Sequence, residues 1–101
     1  MQFAEVAVDF PDEHSRTFTY STSDELGIVV GDLVWVPFGP RTVQGIVFEL
    51  SDTPSTDVDK VRPITARTLD GPFIADHLVR VARWVAEYYR TTLFTACSLL
   101  L

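Results

Sequence analysis

The sequence predicts a small β-rich α+β domain, an antiparallel barrel or strongly curved sheet followed by a C-terminal helix. Three observations predict it. Short apolar runs of alternating pattern are separated by Gly, Pro, Asp and Ser. The run Leu33-Val34-Trp35-Val36-Pro37-Phe38-Gly39, followed by Arg41 and Gln44-Gly45-Ile46-Val47, reads as a strand, an enforced turn and a returning strand. Beyond Pro72 the apolar spacing changes from two to three and four. With 101 residues and 47% apolar composition, the chain can build one modest domain with a real core.

In chain order, Phe3 to Val8 reads as a first strand, ended by the proline and mixed charges of residues 9–14. Arg16 to Tyr20 follows as a second, placing Phe18 and Tyr20 on one face. A polar stretch from Ser21 to Glu25, with Gly27, connects to Ile28-Val29-Val30, and Gly31-Asp32 turns the chain into the Leu33 to Phe38 strand. After Gly39-Pro40, Val43 to Leu50 returns, with Val43, Gly45 and Val47 on one side and Gln44, Ile46 and Phe48 on the other. Gly45 marks a bulge or a close backbone approach. Residues 51–59 are polar and acidic, a surface loop, and Val61-Arg62-Pro63-Ile64 is a short extended piece whose proline suits a sheet edge. After the Leu69-Asp70-Gly71-Pro72 breaker, Ile74, Leu78, Val81, Val85 and Tyr88 form an apolar stripe with Ala82 beside it, giving a helix from about Ala75 to Tyr89. Asp76 and Arg90 suit its two ends. The final Leu93 to Leu101 is too apolar for a frayed tail and too short for a subdomain, and Leu99 to Leu101 are expected to pack on a following domain.

Fourteen acidic residues against eight basic ones give a net charge of −6, which opposes broad charge-driven binding of nucleic acid but permits a local basic pocket. Arg16 and Arg41 stand alone in the first half, whereas Lys60, Arg62, Arg67, Arg80, Arg83 and Arg90 crowd the second. Cys97 is the single cysteine, so no intrachain disulfide and no cysteine zinc cluster can form, which fits a reducing cytoplasm. Neither a secretory signal nor an apolar run near the roughly 20 residues of a membrane span is present.

No arrangement of catalytic residues emerges. The GxxxxGK[ST], HExxH and GxSxG patterns are absent, and His14 and His77 sit in unrelated contexts. The carboxylate pairs Asp12 with Glu13 and Asp24 with Glu25 read as solvated loop charges, and Cys97 as a small apolar contact. Phe18 and Tyr20 serve either as a base-stacking wall or as core aromatics, while Thr19, facing the other way, offers one hydroxyl. Gly39 is an ordinary turn glycine or a point of close backbone approach, and Arg62 a solvated side chain or a phosphate and sugar contact. Trp35 is core or an exposed stacker. Trp84, Tyr88 and Tyr89 read as helix-packing residues or a site for a downstream domain.

Four segments also match a known family in order and spacing: Arg16-Thr17-Phe18-Thr19-Tyr20, Val34 to Gly39 with Arg41 and Gly45-Ile46-Val47, Lys60 to Ile64, and Ala82 to Tyr89. Across almost the full 101 residues the chain resembles the N-terminal DNA-binding domain of primosomal protein N′, the bacterial replication-restart helicase PriA. The resemblance implies an OB-like fold, residues 1–101 being a single module excised from a longer helicase. It implies capture of the 3′-hydroxyl end of a nascent leading strand at a stalled or abandoned fork, with Phe18, Thr19 and Tyr20 at the terminal-nucleotide pocket, Gly39 giving backbone access and Arg62 in a basic position. The implied partners are forked or single-stranded DNA with a free 3′-hydroxyl, downstream helicase domains and replication-restart proteins, in a nucleoid-associated cytoplasmic setting. ATP and zinc belong to the downstream domains, so this chain is expected to need no cofactor and to neither hydrolyse ATP nor unwind DNA. The family commonly carries Asp where Thr19 stands, and a threonine hydroxyl is a neutral, shorter substitute for a carboxylate. That change and the acidic balance support a second reading, an OB-like protein-interaction or interdomain scaffold module with little affinity for DNA.

Overall fold

The computed structural model describes residues 2–10, 16–54, 57–68 and 71–100. His14, the Asp12 and Glu13 pair, parts of the 51–59 loop and the Leu69-Asp70 breaker therefore lie outside the described residues, wholly or in part. Six strands, β1 (Gln2–Val8), β2 (Phe18–Thr22), β3 (Leu33–Phe38), β4 (Arg41–Ser51), β5 (Arg62–Pro63) and β6 (Ala66–Arg67), precede two helices, α1 (Asp76–Tyr89) and α2 (Leu93–Leu99). The strands form one sheet in the order β5-β2-β1-β4-β3-β6. The small β-rich α+β domain with a strongly curved sheet is observed, and every strand pair is antiparallel except β2 with β5, which makes the sheet mixed. The reason lies in one segment. Ile64 N–H donates to Ser21 O at 3.0 Å and the next residue, Thr65, donates to Trp35 O at 2.8 Å, so residues 62–67 bridge from the β2 edge to the β3 edge. Bonded at both edges by this segment, the sheet curls into a half-barrel.

The β4 alternation places Val43 and Val47 inside the curl and Ile46 and Phe48 on the outer face, as the period of two predicts. Val6 pairs with Val47 but Glu5 with Glu49, so Phe48 is an extra residue, and the following Leu50 packs on the inner side. The bulge is thus at Phe48. At Gly45 the backbones approach closely instead: an added Cβ would lie 2.5 Å from Val6 Cγ1 and 3.0 Å from Ala7 O. The inner core joins Ala4, Val6, Tyr20, Val34, Val36 and Val47, with Ile64 contributed by the bridging segment.

The outer face carries Ala7, Leu33, Ile46 and Phe48, and the helices cover it. The α1 boundary agrees with the helical spacing to one residue, but its stripe is rotated: Val79, Ala82, Val85 and Ala86 are buried, while Val81 and Tyr88 are exposed. The two alanines admit a closer approach to the sheet than larger residues would. Arg90 ends α1 in the left-handed region at φ 52°, its N–H donating to Ala86 O. Thr92 then caps α2, accepting from Thr95 N–H at 3.0 Å. Within the apolar C-terminal run Leu93, Ala96 and Cys97 are buried in this domain's own core, while Leu99 is exposed. Burial pushes the Cys97 thiol up to about 12, as suits an inert packing group. Asp32, in a turn by sequence, is also buried, its carboxylate accepting from Val29 N–H at 2.7 Å and from Arg67 Nη2 at 3.0 Å. No helix among the described residues is long and apolar enough to cross a membrane.

Candidate functional site

The strand β5 is only two residues long and covers Tyr20 and Ser21 alone, so the preceding edge of β2 stays open. Beside that edge the β3–β4 hairpin turns through Gly39 and Pro40, whose positive φ of 60° at Gly39 is what a two-residue hairpin loop demands. Together with the approach to β5 they enclose a cavity of about 460 Å³. Phe18, Thr19, Tyr20, Gly39 and Arg62 all line it. Separated by up to 44 positions in sequence, they are brought together by the β1–β2 register, the hairpin and the bridging segment.

Tyr20 is 5% exposed, its ring belonging to the inner core and its hydroxyl donating to Pro37 O at 2.7 Å. Burial pushes this phenol up to about 12, partly offset by the nearby Arg62 charge. It therefore remains a donor at neutral pH and fastens β2 to the hairpin. The stacking surface falls instead to half-buried Phe18, whose ring meets Phe38 edge-on at 5.1 Å and carries the Arg16 guanidinium 4.9 Å above it. Exposed Arg62 reaches across to Gly39, donating from Nη1 to the carbonyl at 3.1 Å, and among the described residues beyond its chain neighbours no atom stands within 4 Å of where a Gly39 Cβ would be. Open space therefore surrounds this backbone. Thr19 Oγ1 donates to Glu5 Oε2 at 2.6 Å.

Sequence reasoning did not place Arg16, Thr17, Pro37, Phe38 and Lys60 in the pocket, although all line it. Arg16 was legible as the neighbour of Phe18, whereas Phe38 required the hairpin geometry. The local charge differs from that of the chain: Arg16, Lys60 and Arg62 line the cavity, and among its described lining residues there is no carboxylate. A site of this kind can hold a flat ring against Phe18 and Phe38 and an anionic group at the cationic rim. Among the described residues no group of three or more His, Cys, Asp or Glu side chains is placed to hold a metal ion. Trp35, half-turned to solvent on β3, and Trp84, Tyr88 and Tyr89 on the outer surface of α1 lie outside the pocket. The α1 aromatics are thus not core residues: Trp84 is 61% exposed and stacks on Tyr88 at 5.2 Å. His77 is exposed, in keeping with its reading as a surface residue.

Residues 5–101 match the family model of the PriA 3′DNA-binding domain (3′BD). The chain is similar to three proteins named replication restart protein PriA. That of Synechocystis sp. is 36% identical over 101 residues, covering 98% of this chain and 12% of the relative. That of Bacillus subtilis is 34% identical over 107 residues, covering 100% and 13%. That of Rickettsia conorii is 28% identical over 82 residues, covering 81% and 12%. The chain therefore spans 12–13% of the length of these curated relatives.

Proposed function

Because the chain belongs to the family of PriA 3′DNA-binding domains, we propose that it binds DNA during replication restart by seating the 3′-hydroxyl end of a nascent leading strand in the β2–hairpin pocket. The observation that carries this reading is the convergence of Phe18, Thr19, Tyr20, Gly39 and Arg62 on one cavity with a cationic rim, on a chain of net charge −6. A terminal base stacks on Phe18, and Arg16, Lys60 and Arg62 attract the backbone that leads to it. Unstacking a base opposes binding by a few kcal/mol, least for an end already single-stranded, so frayed and forked ends are favoured over continuous duplex.

In the longer protein the ATP-driven helicase and its zinc belong to other domains, and this module contributes end recognition without hydrolysing ATP. The setting is the cytoplasm, at the nucleoid. Fluorescence anisotropy with a forked oligonucleotide tests the pocket: Phe18→Ala is expected to weaken binding by about 1–3 kcal/mol through lost stacking, and Arg62→Ala by about 1.5–3 kcal/mol through a lost charge-assisted contact. Unchanged affinity in both folded variants would overturn the reading. A second reading, an interdomain scaffold, draws on the exposed Trp84, Tyr88 and Tyr89 of α1. It is favoured if Trp84→Ala disturbs a helicase-length protein while pocket variants do not.

A further inference from the structure

Thr17 and Thr19 line the cavity, and half-buried Glu5 lies beside them on β1, its Cα paired with that of Thr19. Thr19 Oγ1 donates to Glu5 Oε2 at 2.6 Å and Thr17 Oγ1 donates to Glu5 Oε1 at 3.1 Å. One carboxylate therefore takes a hydroxyl proton from each threonine. A threonine hydroxyl has a single proton and two lone pairs, and an ionised carboxylate accepts without donating. With both protons directed to Glu5, the two oxygens meet any further partner as acceptors. Arg62, by contrast, is a donor only. The pocket is thereby given a fixed hydrogen-bonding polarity by a residue that does not itself line it.

Building on the pocket's reading as a nucleotide-end site, we infer that Glu5 is a positioning residue that sets Thr17 and Thr19 as acceptors, so that the site selects a terminal nucleotide presenting a hydrogen-bond donor. Two groups of a terminal nucleotide supply that chemistry, a sugar hydroxyl and an exocyclic base amine. A nucleotide that brings only acceptors to the threonines leaves lone pair against lone pair, which costs the desolvation of both groups. Glu5→Gln changes this polarity without changing the side chain's shape. The amide still accepts from one threonine through its oxygen but donates to the other through its NH₂, forcing that hydroxyl to point its proton elsewhere.

The test is anisotropy with three forked DNAs of one sequence: ending in deoxyadenosine with a 3′-hydroxyl, in its 3′-deoxy counterpart, and in a purine nucleoside lacking the amine. The parent chain is expected to lose roughly fivefold in affinity when the donor that meets the threonines is removed, the equivalent of one hydrogen bond. In Glu5→Gln that ratio falls, because one of the two threonines is released to donate, and which ratio falls identifies the sugar or the base as the source. Thr19→Val, nearly isosteric and lacking the hydroxyl, is expected to lower the same ratio, and it carries the test alone if Glu5→Gln fails to fold. A purely structural Glu5 would weaken binding to all three ends alike and leave the ratios intact, which would overturn the inference. So would a parent chain that binds the three ends equally. A parent chain that binds none of them overturns the pocket's nucleotide reading as well.

Discussion

Tyr20 joins structure and site: its ring fills the inner core while its hydroxyl fastens β2 to the hairpin at Pro37. Between pH 10 and about 12 the unfolded chain releases the phenolic proton and the folded chain retains it. The unfolded state then binds fewer protons, so this residue's contribution to stability, complete below pH 10, is lost as pH rises through that window. Urea unfolding from pH 9 to 12 should show a steeper decline in the parent than in Tyr20→Phe. Asp32 carries a heavier structural role. Removing its carboxylate in Asp32→Ala leaves Arg67 and the Val29 N–H without their partner, an expected loss of about 3–5 kcal/mol by the same unfolding measurement. Neither role was legible in sequence, because Tyr20 meets Pro37 17 positions away and Asp32 meets Arg67 35 positions away. Alternation gave the side of the strand each residue faces, but the partner across that face depends on register. The five pocket residues were legible through the family's ordered segments, since strand spacing left Phe18 and Tyr20 equally suited to the core.

At the scale of elements, turns and periodicity predicted β1, β3, β4 and α1 closely, because their signals are local. The helix α2 was not legible. Its seven residues, Leu93–Leu99, carry only Thr95 and Ser98 as polar positions, too short a run to reveal a period, and the deciding feature is the Thr92 cap that restarts the chain after Arg90. The α1 stripe is rotated from the expected one for a related reason: large apolar residues draw the eye, whereas Ala82 and Ala86 are among the most deeply buried positions of the helix. This geometry has opposite consequences for two substitutions. Leu93→Ala, at a fully buried site, should cost about 2–5 kcal/mol, whereas Trp84→Ala, on the exposed face of α1, should alter stability by no more than about 0.5 kcal/mol. Thermal or urea unfolding of the two variants distinguishes a helix packed as described from one rotated to bury its aromatics.

The molecule as a whole is acidic, yet it gathers Arg16, Lys60 and Arg62 at one cavity between the two edges of a half-barrel. Long-range attraction to DNA is therefore weak, and the proposed function places recognition at the end of the strand. If these three cations are the ones that meet phosphates, the slope of log affinity against log salt should be shallow, about −2 for a single-stranded contact. Anisotropy titrations from 50 to 200 mM salt measure it, and a much steeper slope would mean that a broader surface contacts DNA. The central claim is capture of a free 3′ end, and its most direct measurement compares two low-salt forked DNAs identical except for a 3′-hydroxyl or a 3′-phosphate. Tighter binding of the hydroxyl end is the predicted result, with Arg62→Ala weakening the binding of both ends. Equal affinity for the two ends, or no affinity for either, would contradict the account and leave the pocket without its proposed ligand.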